Sequence, residues 1–311
     1  MKKNTIAFGL LIIFVIFTTS ILQSCRIDSR GEIDENLSIL HEKTFNISPD
    51  KLLKLDASSG DVIINSWDKP QVYVKILGNS KAERKVDFSF KSTDEYVEVT
   101  AEHEHNFFNW FGNGVRMKFE ITVPTNFNTE IRSSGGDIKM TGVTGNQRMK
   151  TSGGDLLITD VNGNLTASTS GGDIKTTNTK GTSDLSTSGG QVKCIDFDGD
   201  LSASTSGGDI ILKGKNSKIS AHTSGGDVSI TYVGENKGID IGTSGGSIKL
   251  RLPEDFNASA RLSTSGGSIT CTLNTTNISK ITSSKFEADL NKGGNQLVAK
   301  TSGGDIEVLK N

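Results

Sequence analysis

Aspartate returns every eighteen residues through much of the chain, at Asp137, Asp155, Asp173, Asp209 and Asp227, and once more at Asp305. Each stands directly after a Gly-Gly pair. Carboxylates stacked ~5 Å apart repel by roughly 0.8 kcal/mol per neighbouring pair in water. Bound calcium would offset that repulsion, as it does in rolls built on a nine-residue glycine-rich repeat, a pattern this chain lacks. The alternative is structural, with each aspartate accepting backbone N–H bonds and capping its own corner. Gln191, Ser247 and Ser268 interrupt the column; they keep the capping chemistry and lack the charge calcium prefers. The column is therefore read as capping, with no metal and no other cofactor expected.

Three other groups bear chemistry. Glu102-His103-Glu104-His105 places two imidazoles on one side of a strand, as zinc ligation requires, but no third ligand is evident and a polar strand end is the simpler reading. Asn106–Phe111 sets Phe107, Phe108, Trp110 and Phe111 in a loop followed by Gly112-Asn113-Gly114. Those rings either dock a glycan, a partner or a bilayer surface, or fold back as a cap. The three cysteines are Cys25, Cys194 and Cys271. The last two share one inward position of the repeat four steps apart, about 19 Å at the strand spacing and too far for a disulfide, so both read as small buried hydrophobes.

The elements that position these groups follow from the repeat. Its first glycines are Gly135, Gly153, Gly171, Gly189, Gly207 and Gly225, and the step then stretches to Gly245, Gly266 and Gly303. A short fixed period marks one unit stacked on itself. Three and five residues after the first glycine the chain is mostly apolar (Ile138 and Met140, Leu156 and Ile158), and four before it as well (Ile131, Met149, Ala167, Leu185). Both halves alternate with period two, and the inward set changes parity at Gly-Gly, so a corner must lie there. Gly145, Gly163, Gly181 and Gly199 mark a second corner. The prediction is an all-β fold: a single-chain β-solenoid of ~18-residue, two-strand rungs, with a column Ile138, Leu156, Ile174, Val192 inside the body. Residues 129–311 form the regular repeats. Residues 41–128 form an irregular β-rich cap that opens with a worn copy of the motif at Ala57–Ile63 and holds Trp67, Phe88, Phe90 and Trp110. Lys285–Gln296 pads the other end, and little helix is expected.

At the N-terminus, Lys2 and Lys3 precede an apolar run from Ile6 to Leu22, followed by Gln23-Ser24-Cys25. This is the pattern of an export signal over residues 1–24, and the small residue before the cysteine resembles the lipobox of bacterial lipoproteins. That resemblance implies cleavage before Cys25 and lipidation there, with more than one acyl chain for stable attachment; an uncleaved anchor helix is the alternative. Residues 25–40 read as a polar tether. Loss of Lys2 and Lys3 lowers the basic residues from 34 to 32 against 36 acidic ones, moving the formal charge from −2 to −4. No basic block remains, so nucleic acid is not an expected partner.

The lipobox, Ile64–Val74 (I-N-S-W-D-K-P-Q-V-Y-V), the repeated T-S-G-G-D-[I/L/V] and the ending Leu290–Val308 together resemble the bacterial β-strand-repeat family labelled putative adhesin, akin to the head GIN domain of putative autotransporter adhesins. The resemblance spans roughly His41 to Leu309 and carries over no catalytic residue. It implies a lipid-anchored cell-envelope protein, non-enzymatic, attached to the outer membrane on its periplasmic or surface side. Its role would be structural or adhesive, a rigid solenoid presenting a surface to glycan or to an envelope protein. Two other readings are a non-catalytic accessory in envelope-stress signalling and, more remotely, a polysaccharide-active enzyme. Oligomeric state is not legible.

Overall fold

Alternating burial along short, β-branched, glycine-punctuated segments produces strands almost throughout. The computed structural model describes residues 37–103 and 114–311, and Leu37–Asn311 form one compact unit. Among the described residues there is one six-residue helix, Ser80–Lys85, whose N-cap Asn79 accepts the Ala82 N–H at 3.0 Å. The β-region begins with Ser38–Asn46, three residues inside the stretch read as tether.

Successive repeats lie side by side as parallel strands in strict register. Ile138 pairs with Leu156, Leu156 with Ile174, Ile174 with Val192 and Val192 with Ile210. All are buried, so the expected column exists. A second ladder, from the strands before the glycines, aligns Ile131, Met149, Ala167, Leu185, Ala203 and Ala221. The small residues of that ladder keep the core between the two faces thin. Leu156–Ser168 and Ile174–Ser186 run unbroken through the second corner and join both ladders into one continuous sheet.

Stack order departs from chain order at both ends. The worn copy is a true rung: Leu52–Ala57 and Asp61–Trp67 lie parallel to Asn128–Ser133 and Ile138–Thr141 on one side. On their other side they lie parallel to Tyr96–His103 and Met117–Pro124. At the far end the last rung of the chain is not the last of the stack. Gln296–Lys300 and Ile306–Lys310 insert between the rungs of Gly245 and Gly266. Cys194 and Cys271 are therefore five steps apart instead of four.

Antiparallel strands close each end. Gln71–Gly78 pairs antiparallel with Met117–Pro124 and then with Ser38–Asn46, while Val86–Ser92 pairs with Tyr96–His103. Across this end His41 meets Phe88 edge-on at 4.8 Å between ring centroids, and Phe45 stacks on Phe90 at 6.5 Å. Thr275–Ile281 and Lys285–Leu290 form a hairpin on Ala258–Ser263 at the other end. Cys194 is fully buried, but Cys271 and its neighbour Ile269 lie half-buried because theirs is the outermost rung of its ladder.

Candidate functional site

The Gly-Gly corner is built by close approach. A Cβ on the second glycine of each pair, Gly172 for example, would overlap the carbonyl oxygen of the matching glycine one rung back, Gly154. At the first glycine, Gly171, the nearest neighbour would be 3.7 Å away, an ordinary contact. The threonine two residues before the pair is buried and latches rungs together. Thr187 Oγ1 donates to Gly172 O at 2.9 Å and accepts the N–H of Gly190 at 3.3 Å. Thr169, Thr205, Thr223, Thr243, Thr264 and Thr301 repeat both bonds.

The aspartate column is corrected in one respect. Each carboxylate caps the neighbouring corner, not its own: Asp155 Oδ1 accepts the Asp173 N–H at 2.8 Å, Asp173 that of Gln191 at 2.9 Å, and Asp227 that of Ser247 at 2.7 Å. The column ties rungs together. Among the described residues no group of three His, Cys, Asp or Glu side chains is placed to share a metal ion.

The thiol of Cys194 accepts a bond from Thr176 Oγ1 at 2.8 Å, and burial pushes its pKa up to about 11, which keeps it a thiol. His103 ends a strand opposite Val86. Cys25, His105, Phe107, Phe108, Trp110 and Phe111 lie outside the described residues.

The second corner holds what the sequence reading missed. Seven residues after the first glycine, Gly142, Asp160, Asn178 and Asp196 adopt positive φ (76°, 55°, 53° and 56°), forming a bulge in each rung. The glycines three positions further on also have positive φ, from 102° at Gly181 to 134° at Gly145. The bulge stops at the rung of Gly207: Ile195 pairs with Lys213 and Phe197 with Gly214, leaving Asp196 unmatched. The turn there moves to Asn216, φ 53°. Ser217 anchors it with its one hydroxyl proton shared between Gly199 O and Lys215 O, and Tyr232 Oη accepts the Ser217 N–H at 2.9 Å.

This step in corner shape opens a groove of about 370 Å³. Gly214 forms its floor against the Phe197 ring; a Cβ there would come within 2.5 Å of the ring. Val233, 47% exposed, is one apolar wall. Lys180 and Lys213 stand beside it without an ionic partner among the described residues, and Asp196 and Asn178 add polar acceptors. Asp198 is engaged, by Lys215 at 3.7 Å and by Asn216 Nδ2 at 3.2 Å. A bulky Phe197 in the column of Val143, Val161 and Thr179, followed by Lys213-Gly214-Lys215, was the available signal. A second hollow, about 490 Å³, lies over Asn128, Asn146 and Asn164. Those amides bond one another, at 3.1 Å and 2.8 Å, and work as a ladder.

In-register parallel rungs, Gly-Gly corners and cross-rung latches define a β-solenoid repeat protein. The chain belongs to the Toastrack DUF4097 family, whose model matches residues 51–309. The β-strand-repeat resemblance is thereby borne out. The chain is also similar, at low sequence identity, to several crystal structures. One is a putative adhesin from Bacteroides fragilis NCTC 9343 (12% identity, 88% of this chain and 98% of that chain covered, TM-score 0.43). Another is a putative lipid binding protein from Parabacteroides distasonis ATCC 8503 (14%, 89% and 98%, 0.43). A third is a putative adhesin from Parabacteroides merdae ATCC 43184 (13%, 89% and 97%, 0.29). No curated protein sequence matches the chain.

Proposed function

We propose that this is a lipid-anchored, non-catalytic protein of the cell envelope, held to the membrane through Cys25, whose latched stack displays a binding surface to glycan or to another envelope protein. The observation that carries the binding role is the groove at Gly214, which sets a floor free of side chains and the exposed Val233 beside two lysines without an ionic partner among the described residues. The latched stack holds its backbone in fixed positions, so little backbone ordering cost is met on binding. The export signal and the lipobox-like Gln23-Ser24-Cys25 support the anchor.

Among the described residues, each carboxylate whose pKa is displaced is held low by its hydrogen-bond donors. Burial pushes Glu120 up, but bonds from Lys75 and Lys118 outweigh it and hold the group below the usual carboxylate range. Asp305 is held low by the Ser268 N–H and hydroxyl, Asp289 by Asn277 and Ser259, and Glu254 by Lys310.

Two measurements test the reading. Cys25→Ser should move the protein from the membrane fraction to the soluble one; retention in the membrane would remove the lipid anchor. A glycan array paired with a pull-down of the lipidated protein should return a specific saccharide or one stoichiometric envelope protein. Turnover of a polysaccharide would overturn the non-catalytic role.

A further inference from the structure

Resting on the binding role just proposed, we infer that the groove between the second corners of the Gly171 and Gly225 rungs binds an oligosaccharide containing carboxylated sugars. Its shape, polarity and backbone pairing all bear on the choice of ligand.

The groove crosses four rungs, from Asn178 and Lys180 to Thr231 and Val233. At ~4.8 Å per step that is about 14 Å, room for a few linked sugar rings. Its floor, Gly214 laid on the buried Phe197 ring, has no side chain standing up from it, and Val233 flanks it. A floor free of side chains, with Val233 beside it, receives the C–H face of a sugar ring, with the hydroxyl edges turned to polar walls. Asp196 and Asn178 are such walls. Asp196 accepts from hydroxyls, which a polyanion lacking them cannot supply. Lys180 and Lys213 supply two cations without an ionic partner among the described residues, while Lys215 is already held by Asp198. The mixture suits a ligand with several hydroxyls and a carboxylate on each ring.

The backbone argues against a peptide. Lys180 pairs in register with Asp198, and Asp198 with Lys215. The strands under the groove thus have neighbours on both sides and offer no free edge for strand addition.

The test uses the lipid-free full-length Cys25→Ser chain in buffered 0.15 M salt. Short oligogalacturonate is titrated calorimetrically against a neutral dextran oligosaccharide of equal length and against poly-glutamate. Wild-type residues in the groove should bind oligogalacturonate more tightly than either competitor. Lys180→Gln with Lys213→Gln should weaken that binding about tenfold or more. The control Lys139→Gln with Lys193→Gln removes the same charge from outside the groove and should change it less than about twofold. Unchanged melting curves confirm that both pairs fold. Equal losses in the two double variants, preference for poly-glutamate, or no binding of oligogalacturonate would each overturn the inference. If oligogalacturonate fails while the array or pull-down returns another partner, the groove assignment falls and the binding role stands; if all are silent, both fall.

Discussion

Two adjacent glycines in one corner have different physical reasons to be there. Gly172 lies where any side chain would collide with the backbone of the preceding rung, and Gly171 faces space that accommodates a methyl group. Gly172→Ala should cost ~1–3 kcal/mol or more, because the strain falls on backbone already fixed by the ladder. Gly171→Ala, which has no positive φ to strain, should stay within about 1 kcal/mol. Urea denaturation midpoints measure both, and equal losses would sink the close-approach account. The buried threonines share this logic. Their hydroxyl satisfies a carbonyl of one rung and an N–H of the next, both of which would otherwise be buried without a partner.

At the scale of elements, the placement of the last rung matters most. Gln296–Lys300 and Ile306–Lys310 sit between two earlier rungs, so the chain's end acts as a middle layer. Deleting residues 296–311 should therefore remove partners from both sides. Amide exchange protection should drop in Ile239–Gly242 and Ile248–Leu252 and also in Ala258–Ser263 and Ile269–Cys271. A stack in simple chain order would lose protection next to the cut alone, and that outcome would contradict the arrangement. The bulges at Asp160, Asn178 and Asp196 are the other decisive element, since the groove exists where they stop.

For the whole molecule, acid should loosen the stack from its ends. Glu120 lies in the N-terminal cap and Asp305 in the inserted C-terminal rung, and both carboxylates are held below their ordinary pKa. Groups depressed on folding stabilise above their unfolded pKa, about 4.3 for Glu and 3.9 for Asp, and lose that contribution as pH falls through the folded value. The melting temperature should stay nearly level from pH 7 to 5 and decline below about 4. Glu120→Gln should flatten part of that decline. A melting temperature that rises on acidification would contradict the sign. The threonine latches do not titrate and continue to tie the middle rungs together.

The eighteen-residue period, the parity change at Gly-Gly and the apolar column were enough, by themselves, to specify an all-β solenoid and to name residues that line its inside. These are local properties: which way a side chain points follows from strand alternation, and a corner follows from where alternation breaks. The cross-rung reach of each aspartate was not local, because the carboxylate bonds a backbone group eighteen residues away. The insertion of the last rung was not legible either, since identical motifs can stack in any order and packing at the stack's end decides among them. Nor was the groove, which depends on one rung's bulge being absent opposite its neighbour's, a relation between rungs that only the assembled sheet creates.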